Sequence, residues 1–234
     1  MRVRPQATQV PPRRHYDTLR RMTLPDPLLV TPDELACAQA AARLRRGGFD
    51  RHRAALFLDR DGTLVRNVPY NRNPDAVQLE PDALRALGCL CAAGFVPVLV
   101  TNQSGVARGL CTAGEVAAVN GRIRALLRAG GIALDAVYVC PHHPDFTGAC
   151  ECRKPAPGLL LRAQRELGLD LVHSVLVGDS PADLEAARGA GVRAYGYRNP
   201  AAPPGEGSAL VNPAGNWWEL ASRILQDAGN GVTG

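Results

Sequence analysis

The chain has 234 residues, 46% of them hydrophobic and 5% aromatic, which is enough for one globular domain with an appendage. No stretch approaches the ~20 consecutive apolar residues of a membrane span, and the Arg- and Pro-rich start lacks the apolar segment of a secretion signal. These two absences predict a cytoplasmic protein. The net charge of +5 is concentrated in residues 1–53, which hold eleven Arg against five acidic residues, so we predict a nearly neutral main domain.

The first 53 residues divide into an arm and a helix. Residues 1–30 have the composition of an extended, disordered basic arm, although the same charge could make a weak contact with nucleic acid or a protein partner. The sequence Thr31-Pro32-Asp33-Glu34 is a capping-box pattern, and two glycines follow the next periodic segment. We therefore predict a helix over 32–46 within an N-terminal helix-and-linker region, 31–53.

From residue 54 onward, short apolar runs rich in Val and Leu alternate with helical patterns. Strands are predicted at 54–59, 95–101, 134–140, 174–179 and 192–197. Helices are predicted at 81–93, 113–129, 157–167 and 181–190, with caps at Thr112 (with Glu115) and Ser180. Strands that are apolar throughout must be covered on both faces, so residues 54–198 are predicted to form an α/β domain with a doubly wound parallel sheet.

The last 36 residues, 199–234, carry a different pattern. A Pro- and Gly-rich loop is predicted at 199–216, and Trp217-Trp218 open a short terminal helix. The two indoles are expected to pack as a hydrophobic anchor.

Polar groups follow the predicted strands. They are Asp59 with Asp61, the run Thr101-Asn102-Gln103-Ser104-Gly105, the run Arg153-Lys154-Pro155, and Gly178-Asp179-Ser180 with Asp183. Ligands of parallel sheets bind beyond the carboxyl ends of the strands, so we expect these groups to meet at one edge.

The two acids after the first strand are two residues apart, so both side chains project to the same side and can reach one substrate atom. The alternative is a polar turn, which Asp and Gly also favour. Asp59 and Asp179 could together hold Mg²⁺, a cation that takes oxygen ligands. Lys154 is the only Lys among 27 basic residues, and a compact ammonium there suits a phosphoryl oxygen.

The seven cysteines fall into two groups. Cys37, Cys89, Cys91 and Cys111 lie in helix-like sequence and are expected to be small buried apolar residues. Cys140, His142, Cys150 and Cys152 form a Cys-x-His, Cys-x-Cys pattern, which predicts a closed, structural zinc site. His143 is a rival ligand, but the spacing favours His142. The metal would hold the adjoining Arg153-Lys154 loop over the site.

Taken in order, the four groups resemble the haloacid dehalogenase (HAD) superfamily of aspartate-nucleophile phosphohydrolases, over residues 54 to about 198. The resemblance implies Mg²⁺-dependent hydrolysis of a phosphomonoester, with Asp59 forming an aspartyl-phosphate and Asp61 acting as acid and then base. It also implies that Thr101 and Lys154 bind the phosphoryl group. Asp59, the backbone carbonyl of Asp61, and Asp179 would bind Mg²⁺. No segment is long enough for a cap domain, so an open site is expected.

The four groups and the zinc pattern together make the chain similar to one branch of this superfamily. That branch has no cap domain and contains D,D-heptose 1,7-bisphosphate phosphatases and histidinol-phosphatases. The run 101–109 and the segment 140–144 favour the heptose enzymes, which implies removal of a 7-phosphate. Asn67 stands where those enzymes have an acid, and Ser180 where some members have Lys. The residues expected to contact substrate are Arg60, Asn67, Tyr70, Asn102, Gln103, Ser104, Arg153 and Ser180.

Other functions stay open at this point. A histidinol-phosphatase or another small sugar phosphatase would use the same chemistry. A zinc-stabilised binding module with a basic arm would leave the Asp and Lys residues at the strand ends without a purpose, and a degenerate scaffold is disfavoured because no catalytic position is missing. The expected partner is a small phosphorylated metabolite, a sugar bisphosphate in the leading hypothesis. Neither nucleic acid nor a membrane is an expected partner, and a monomer is favoured.

Overall fold

The computed structural model describes residues 31–197 and 211–231, and the structural statements below refer to these residues. One parallel sheet has the strand order β3-β2-β1-β4-β5-β6. Its strands are β1 Ala54–Leu58, β2 Val96–Asn102, β3 Ala136–Cys140, β4 Asp170–Gly178, β5 Arg193–Tyr197 and β6 Val211–Ala214. The order reverses between β1 and β4, and a crevice for ligands forms beyond the carboxyl ends of such a pair.

Helices cover both faces of this sheet, as predicted. They are α1 Pro32–Arg46, α2 Ala83–Ala93, α3 Ala113–Ala129, α4 Pro144–Thr147, α5 Gly158–Leu167, α6 Pro181–Gly189 and α7 Trp217–Gly231. One core lies beneath α1, α2, α3 and α7, and a second lies beneath α5 and α6. In β1, Leu56 and Leu58 face the first core while Ala55 and Phe57 face the second, which makes β1 a central strand buried on both sides.

Helix α1 belongs to the core of the domain. Its Cys37, Ala41 and Leu44 are buried among residues that include those of α2 and α7. The Thr31 hydroxyl caps the helix by accepting a hydrogen bond from the Glu34 N–H at 3.2 Å. The Glu34 carboxylate pairs with Arg85 of α2. The glutamate of the predicted capping box therefore links α1 to α2.

The structure differs from the sequence expectation at two strands. β4 begins at Asp170, before the predicted start at 174, and β6 occupies part of the segment predicted as a loop. The predicted basic arm, 1–30, and most of the predicted 199–216 loop lie outside the described residues.

Two further expectations concern single side chains. Trp217 is fully buried and donates from Nε1 to the Thr63 carbonyl at 3.3 Å, so the anchor role of the terminal helix is confirmed. Cys37 and Cys111 are buried as expected, whereas Cys89 and Cys91 are half-buried beside the core. Within the described parts of the chain, no helix has the length and apolar character needed to cross a membrane.

Candidate active site

Side chains from several strand ends meet beyond the carboxyl edge of the sheet. Asp59 follows β1, Thr101 lies near the end of β2, Asp179 follows β4, and Lys154 arrives from the loop after β3. Thr101 is 1% exposed, Lys154 3% and Asp59 8%. This convergence follows from the parallel topology, because every strand delivers its last residues to the same edge.

Lys154 lies between two carboxylates. Its Nζ donates to Asp59 Oδ1 at 2.5 Å and to the Val100 carbonyl at 2.9 Å, and it is 2.5 Å from Asp183 Oδ1. Burial lowers the pKa of Lys154, but the attraction of Asp59 and Asp183 outweighs burial and raises the pKa above its usual value. Three acceptors surround one point here, and a compact ammonium fits such a point better than the planar guanidinium of Arg does.

Asn102 fixes the backbone of Lys154. Its Nδ2 donates to the Lys154 carbonyl at 2.9 Å, and its Oδ1 accepts from the Lys154 N–H at 3.1 Å. These two bonds tie the end of β2 to the loop that carries the lysine. Asn102 is one of the predicted substrate contacts. In the structure its side-chain amide is hydrogen-bonded to the backbone of Lys154.

Asp61 is held by two donors on one oxygen. Its Oδ2 accepts from Arg60 Nε at 2.9 Å and from Gln103 Nε2 at 2.8 Å. Gln103 Nε2 also donates to Thr101 Oγ1 at 2.8 Å. The Asp61 side chain is 26% exposed and that of Asp59 11%, so the two acids occupy different environments.

Arg60 points into the protein, although it is one of the predicted substrate contacts. Its side chain is 1% exposed, and Nη1 donates to Asn120 Oδ1 of α3 at 3.0 Å. From there the guanidinium positions Asp61. Asn120 is not among the predicted site residues. A sequence signal was available, because Asn120 is a polar residue within the buried stripe that includes Val116 and Ile123.

Asp179 and Asp183 bring negative charge close to Asp59. One carboxylate oxygen of each lies within 4.8 Å of the others. Burial raises the pKa of Asp59 to about 7; Lys154 opposes this rise, and Asp183 and Asp179 add to it. Burial and Asp183 raise the pKa of Asp179 to about 6. Three acids against one ammonium leave the cluster short of positive charge, so its donor set fits a divalent cation with oxygen ligands.

Ser180 orients the last of these acids. Asp183 Oδ2 accepts from the Ser180 N–H at 3.1 Å and from the Ser180 hydroxyl at 2.5 Å. Because Oδ1 of Asp183 faces Lys154, both of its oxygens are engaged. Ser180, another predicted substrate contact, is therefore the N-cap residue of α6 and positions Asp183.

Gly62 lets the loop after β1 approach Asp179. Its φ is +80°, and a Cβ added there would lie 2.2 Å from Asp179 Oδ2. We expect Gly62→Ala to lower kcat/KM by about 10²-fold, because it displaces a carboxylate by a substantial fraction of an ångström. Steady-state kinetics measures the effect. The matched control is Gly191→Ala, which has φ +69° and nothing within 4 Å of the added Cβ. Equal losses in both variants would assign the effect to backbone strain alone.

The remaining predicted substrate residues are more exposed. Tyr70 is 44% exposed, its hydroxyl accepts from Arg108 Nη1, and the guanidinium carbon lies 5.3 Å from the ring centroid. Arg153 is half-buried and donates from Nη1 to the His142 carbonyl at 3.2 Å. Asn67 is exposed and Ser104 is half-buried. Arg108 was not predicted to contact substrate. Its pairing with Tyr70 places it beside a residue that was.

A cluster of three thiols and one imidazole lies in the loop beside Lys154. The Sγ atoms of Cys140, Cys150 and Cys152 are 3.2–3.7 Å apart, and His142 Nδ1 lies 3.7 Å from Cys140 Sγ and 3.3 Å from Cys152 Sγ. Ligands on a tetrahedral Zn²⁺ with ~2.3 Å bonds are about 3.8 Å apart, so the donor set fits that ion. His143 instead accepts from the Asp145 N–H at 3.3 Å and caps α4.

Comparisons with known proteins agree with this arrangement. Residues 151–212 match the Hydrolase_like family of HAD-hydrolase-like proteins. The chain is 43% identical over 191 residues to a D-glycero-beta-D-manno-heptose-1,7-bisphosphate 7-phosphatase of Mesorhizobium japonicum, covering 79% of this chain and 82% of the relative. It is 39% identical over 143 residues to the Escherichia coli K12 protein of the same name, covering 59% of this chain and 75% of that protein.

Solved structures show the same fold. A D,D-heptose 1,7-bisphosphate phosphatase from B. bronchiseptica, complexed with magnesium and phosphate, matches with a TM-score of 0.66 and 32% identity over 74% of this chain and 99% of its own. A HAD-like phosphatase from Mesorhizobium loti matches with a TM-score of 0.67 and 35% identity over 76% and 88%. The long alignment to the M. japonicum relative and these two structures lead to one conclusion. The chain belongs to the HAD-like phosphatase family.

Proposed function

We propose that this phosphatase removes the 7-phosphate of a heptose 1,7-bisphosphate, with Asp59 as nucleophile and Asp61 as acid and base. The observation that carries the reaction is the meeting of Asp59, Asp61, Thr101 and Lys154 at one edge of the sheet. The relatives' names support the substrate.

In the first step a carboxylate oxygen of Asp59 attacks phosphorus, and the bond from phosphorus to the sugar oxygen breaks. Asp61 gives its proton to that oxygen, which leaves as the alcohol. In the second step Asp61, now a carboxylate, takes a proton from water as the water attacks the aspartyl-phosphate, and inorganic phosphate and Asp59 are released. Lys154 and Thr101 donate to the phosphoryl oxygens.

HAD phosphatases use Mg²⁺, and the B. bronchiseptica structure contains it. The residues that would hold the ion here are Asp59, the backbone carbonyl of Asp61, and Asp179. A bound Mg²⁺ neutralises charge on the phosphoryl group and supplies the positive charge that the cluster lacks. Asp183 contributes through Lys154 and Ser180, to which its two oxygens are bound.

Without metal, stability should fall as pH rises. The folded pKa of Asp59 is about 7 and the ordinary value is 3.8, so folding favours the protonated acid. Its contribution is therefore complete below about pH 4 and is lost as pH rises through 7, at up to about 1 kcal/mol per pH unit. Chemical denaturation from pH 5 to 8 should show this decline. Mg²⁺ should stabilise the protein more at pH 8 than at pH 5, because it displaces protons.

Two variants test the assignment of that decline. Asp59→Asn should reduce it to the smaller decline that Asp179 causes, because the pKa of Asp179 is also raised, to about 6. Asp75→Asn, the same change at an exposed acid, should keep the wild-type slope. A wild-type slope in Asp59→Asn would contradict the assignment to the Asp59 carboxyl.

The substrate is tested by measuring phosphate release from heptose 1,7-bisphosphate, histidinol phosphate and simple sugar monophosphates. We expect the highest kcat/KM for the bisphosphate, by at least about tenfold, with a heptose 1-phosphate as product. A higher value for histidinol phosphate would overturn the heptose assignment and leave the reaction mechanism intact. Activity on none of these compounds would count against both.

The Cys/His cluster is proposed to hold one structural Zn²⁺. Elemental analysis of purified protein, after dialysis against metal-free buffer, should find about one tightly held zinc per chain. Cys150→Ala should lose it, lower the free energy of unfolding by about 4 kcal/mol or more, and reduce kcat, because Cys152 is two residues from Lys154. The control is Cys89→Ala, a half-buried cysteine outside the cluster. Full zinc content in Cys150→Ala would exclude Cys150 as a ligand.

A further inference from the structure

A second group of side chains with metal-ligating atoms lies at the amino ends of the strands, opposite Asp59. His52 comes just before β1, and Asp170 and His173 belong to β4. One ligand atom of each lies within 4.8 Å of the others. Ala54 pairs with Asp170, so this cluster sits at the amino ends of the two strands. The length of β1 separates it from Asp59 by about 17 Å, at ~3.3 Å per residue.

Both imidazoles face the same carboxylate oxygen. Asp170 Oδ2 lies 2.7 Å from His173 Nδ1 and 3.6 Å from His52 Nδ1. The two rings stack with their centroids 3.9 Å apart and 24° between their planes. Asp170 Oδ1 accepts from the backbone N–H groups of Val172 at 3.0 Å and His173 at 3.4 Å. The backbone therefore holds one oxygen of Asp170 and leaves the other directed at both imidazoles.

A bulge in β4 builds this arrangement. Between the pairs Ala54–Asp170 and Leu56–Val175, β1 advances two residues and β4 advances five. Ser174 fixes the bulge, because its hydroxyl accepts from the Ala55 N–H at 2.7 Å and donates to the Asp170 carbonyl at 2.5 Å. Bulges re-aim side chains, and this one returns His173 to Asp170.

The buried ring of Phe49 lies next to both imidazoles. Its centroid lies 6.0 Å from that of His52 and 6.4 Å from that of His173. Packing of this kind limits the ring orientations of potential ligands, which lowers the entropic cost of binding an ion.

We propose that His52, Asp170 and His173 form a second metal site, which binds a divalent transition-metal ion of the Ni²⁺ and Zn²⁺ class. Imidazole nitrogen suits these ions, whereas Mg²⁺ is held by oxygen ligands. The three side chains are 38%, 30% and 31% exposed, so an ion can reach them and keep water on its remaining positions. The ion fastens the segment that follows α1 to the start of β4.

Ni²⁺ is the probe, added to tag-free full-length protein that already contains zinc in the Cys/His cluster and saturating Mg²⁺. Calorimetric titration of the wild type should show one saturable Ni²⁺ per chain. At a hundred times the dissociation constant, Ni²⁺ should raise Tm by about 5–10 °C. His173→Ala and Asp170→Asn should lose both the binding and the shift. The control is Asp50→Asn, an identical change in a neighbouring acid that pairs with Arg45 at 3.7 Å, and it should keep both.

Phosphate release checks that the variants fold, because none of these side chains is part of the catalytic group and kcat/KM should stay at the wild-type value. Two results would overturn the proposal. Saturable Ni²⁺ binding by a His52→Ala/His173→Ala variant, equal to wild type, would place the ion elsewhere. Absence of binding and of any Tm shift in the wild type would show that the cluster is only a hydrogen-bonded His-Asp-His group.

Discussion

Asp59→Asn should lower kcat/KM by about 10⁴-fold or more while the protein stays folded. The amide nitrogen and oxygen cannot replace a carboxylate as nucleophile, and loss of a nucleophile has effects of this size in other hydrolases. The fold should survive because Asn has the same shape and Lys154 keeps its ion pair with Asp183. Continuous phosphate release and circular dichroism measure the two effects.

Two controls protect this result. Asp75→Asn is the same change at an exposed acid and should keep wild-type activity. Intact-mass measurement excludes preparations in which the introduced amide has reverted to a carboxylate by deamidation. Activity within tenfold of the wild type, in protein of the correct mass, would remove Asp59 from the role of nucleophile.

Lys154→Met should reduce both activity and stability. The ammonium is 3% exposed and lies 2.5 Å from an oxygen of Asp59 and 2.5 Å from one of Asp183, so its loss leaves two buried acids facing each other. Removing one partner of a buried ion pair costs about 3–5 kcal/mol, and we expect a loss of that order in denaturant unfolding at about pH 7.5. Because Lys154 is the proposed donor to the phosphoryl group, its loss should also lower kcat, by about 10²–10³-fold.

A double variant separates the two effects. Adding Asp183→Asn to Lys154→Met removes the second unbalanced charge, so it should restore much of the lost stability without restoring kcat. Lys154→Arg keeps the charge, but its planar fork does not fit a point surrounded by three acceptors, and kcat should fall there too. If Lys154→Met unfolds at the wild-type denaturant concentration, the ion pairs with Asp59 and Asp183 contribute nothing measurable to stability.

Local patterns were sufficient for most of the elements and for the grouping of the polar residues at the strand ends. The bounds predicted for α1 and α3 coincide with the observed ones, because caps and glycines mark helix ends through interactions within a few residues. Parallel strands end at one edge, so strand polarity alone was enough to place Asp59, Thr101 and Asp179 together. The Cys-x-His, Cys-x-Cys spacing likewise predicted the grouping of Cys140, His142, Cys150 and Cys152 that the structure contains.

Side-chain direction at the site depended on the tertiary structure. Arg60 and Asn102 were both predicted to contact substrate, but one turns toward Asn120 of α3 and the other toward the backbone of Lys154. A polar side chain takes the partner that packing brings within reach, and these partners lie 60 and 52 residues away in the chain. No local pattern contains that information.

The cluster at the amino ends of β1 and β4 also depends on contacts between distant segments. His52 stands before β1, whereas Asp170 and His173 lie in a stretch whose bulge begins before the predicted strand. Sequence spacing brings Asp170 near His173 but says nothing of His52. Its position follows from the pairing of β1 with β4.

The sequence alone determined which strand ends carry the phosphatase chemistry, since strand polarity and motif order are local. Only the tertiary structure decided which polar side chains bond to each other, because those contacts form when distant segments pack.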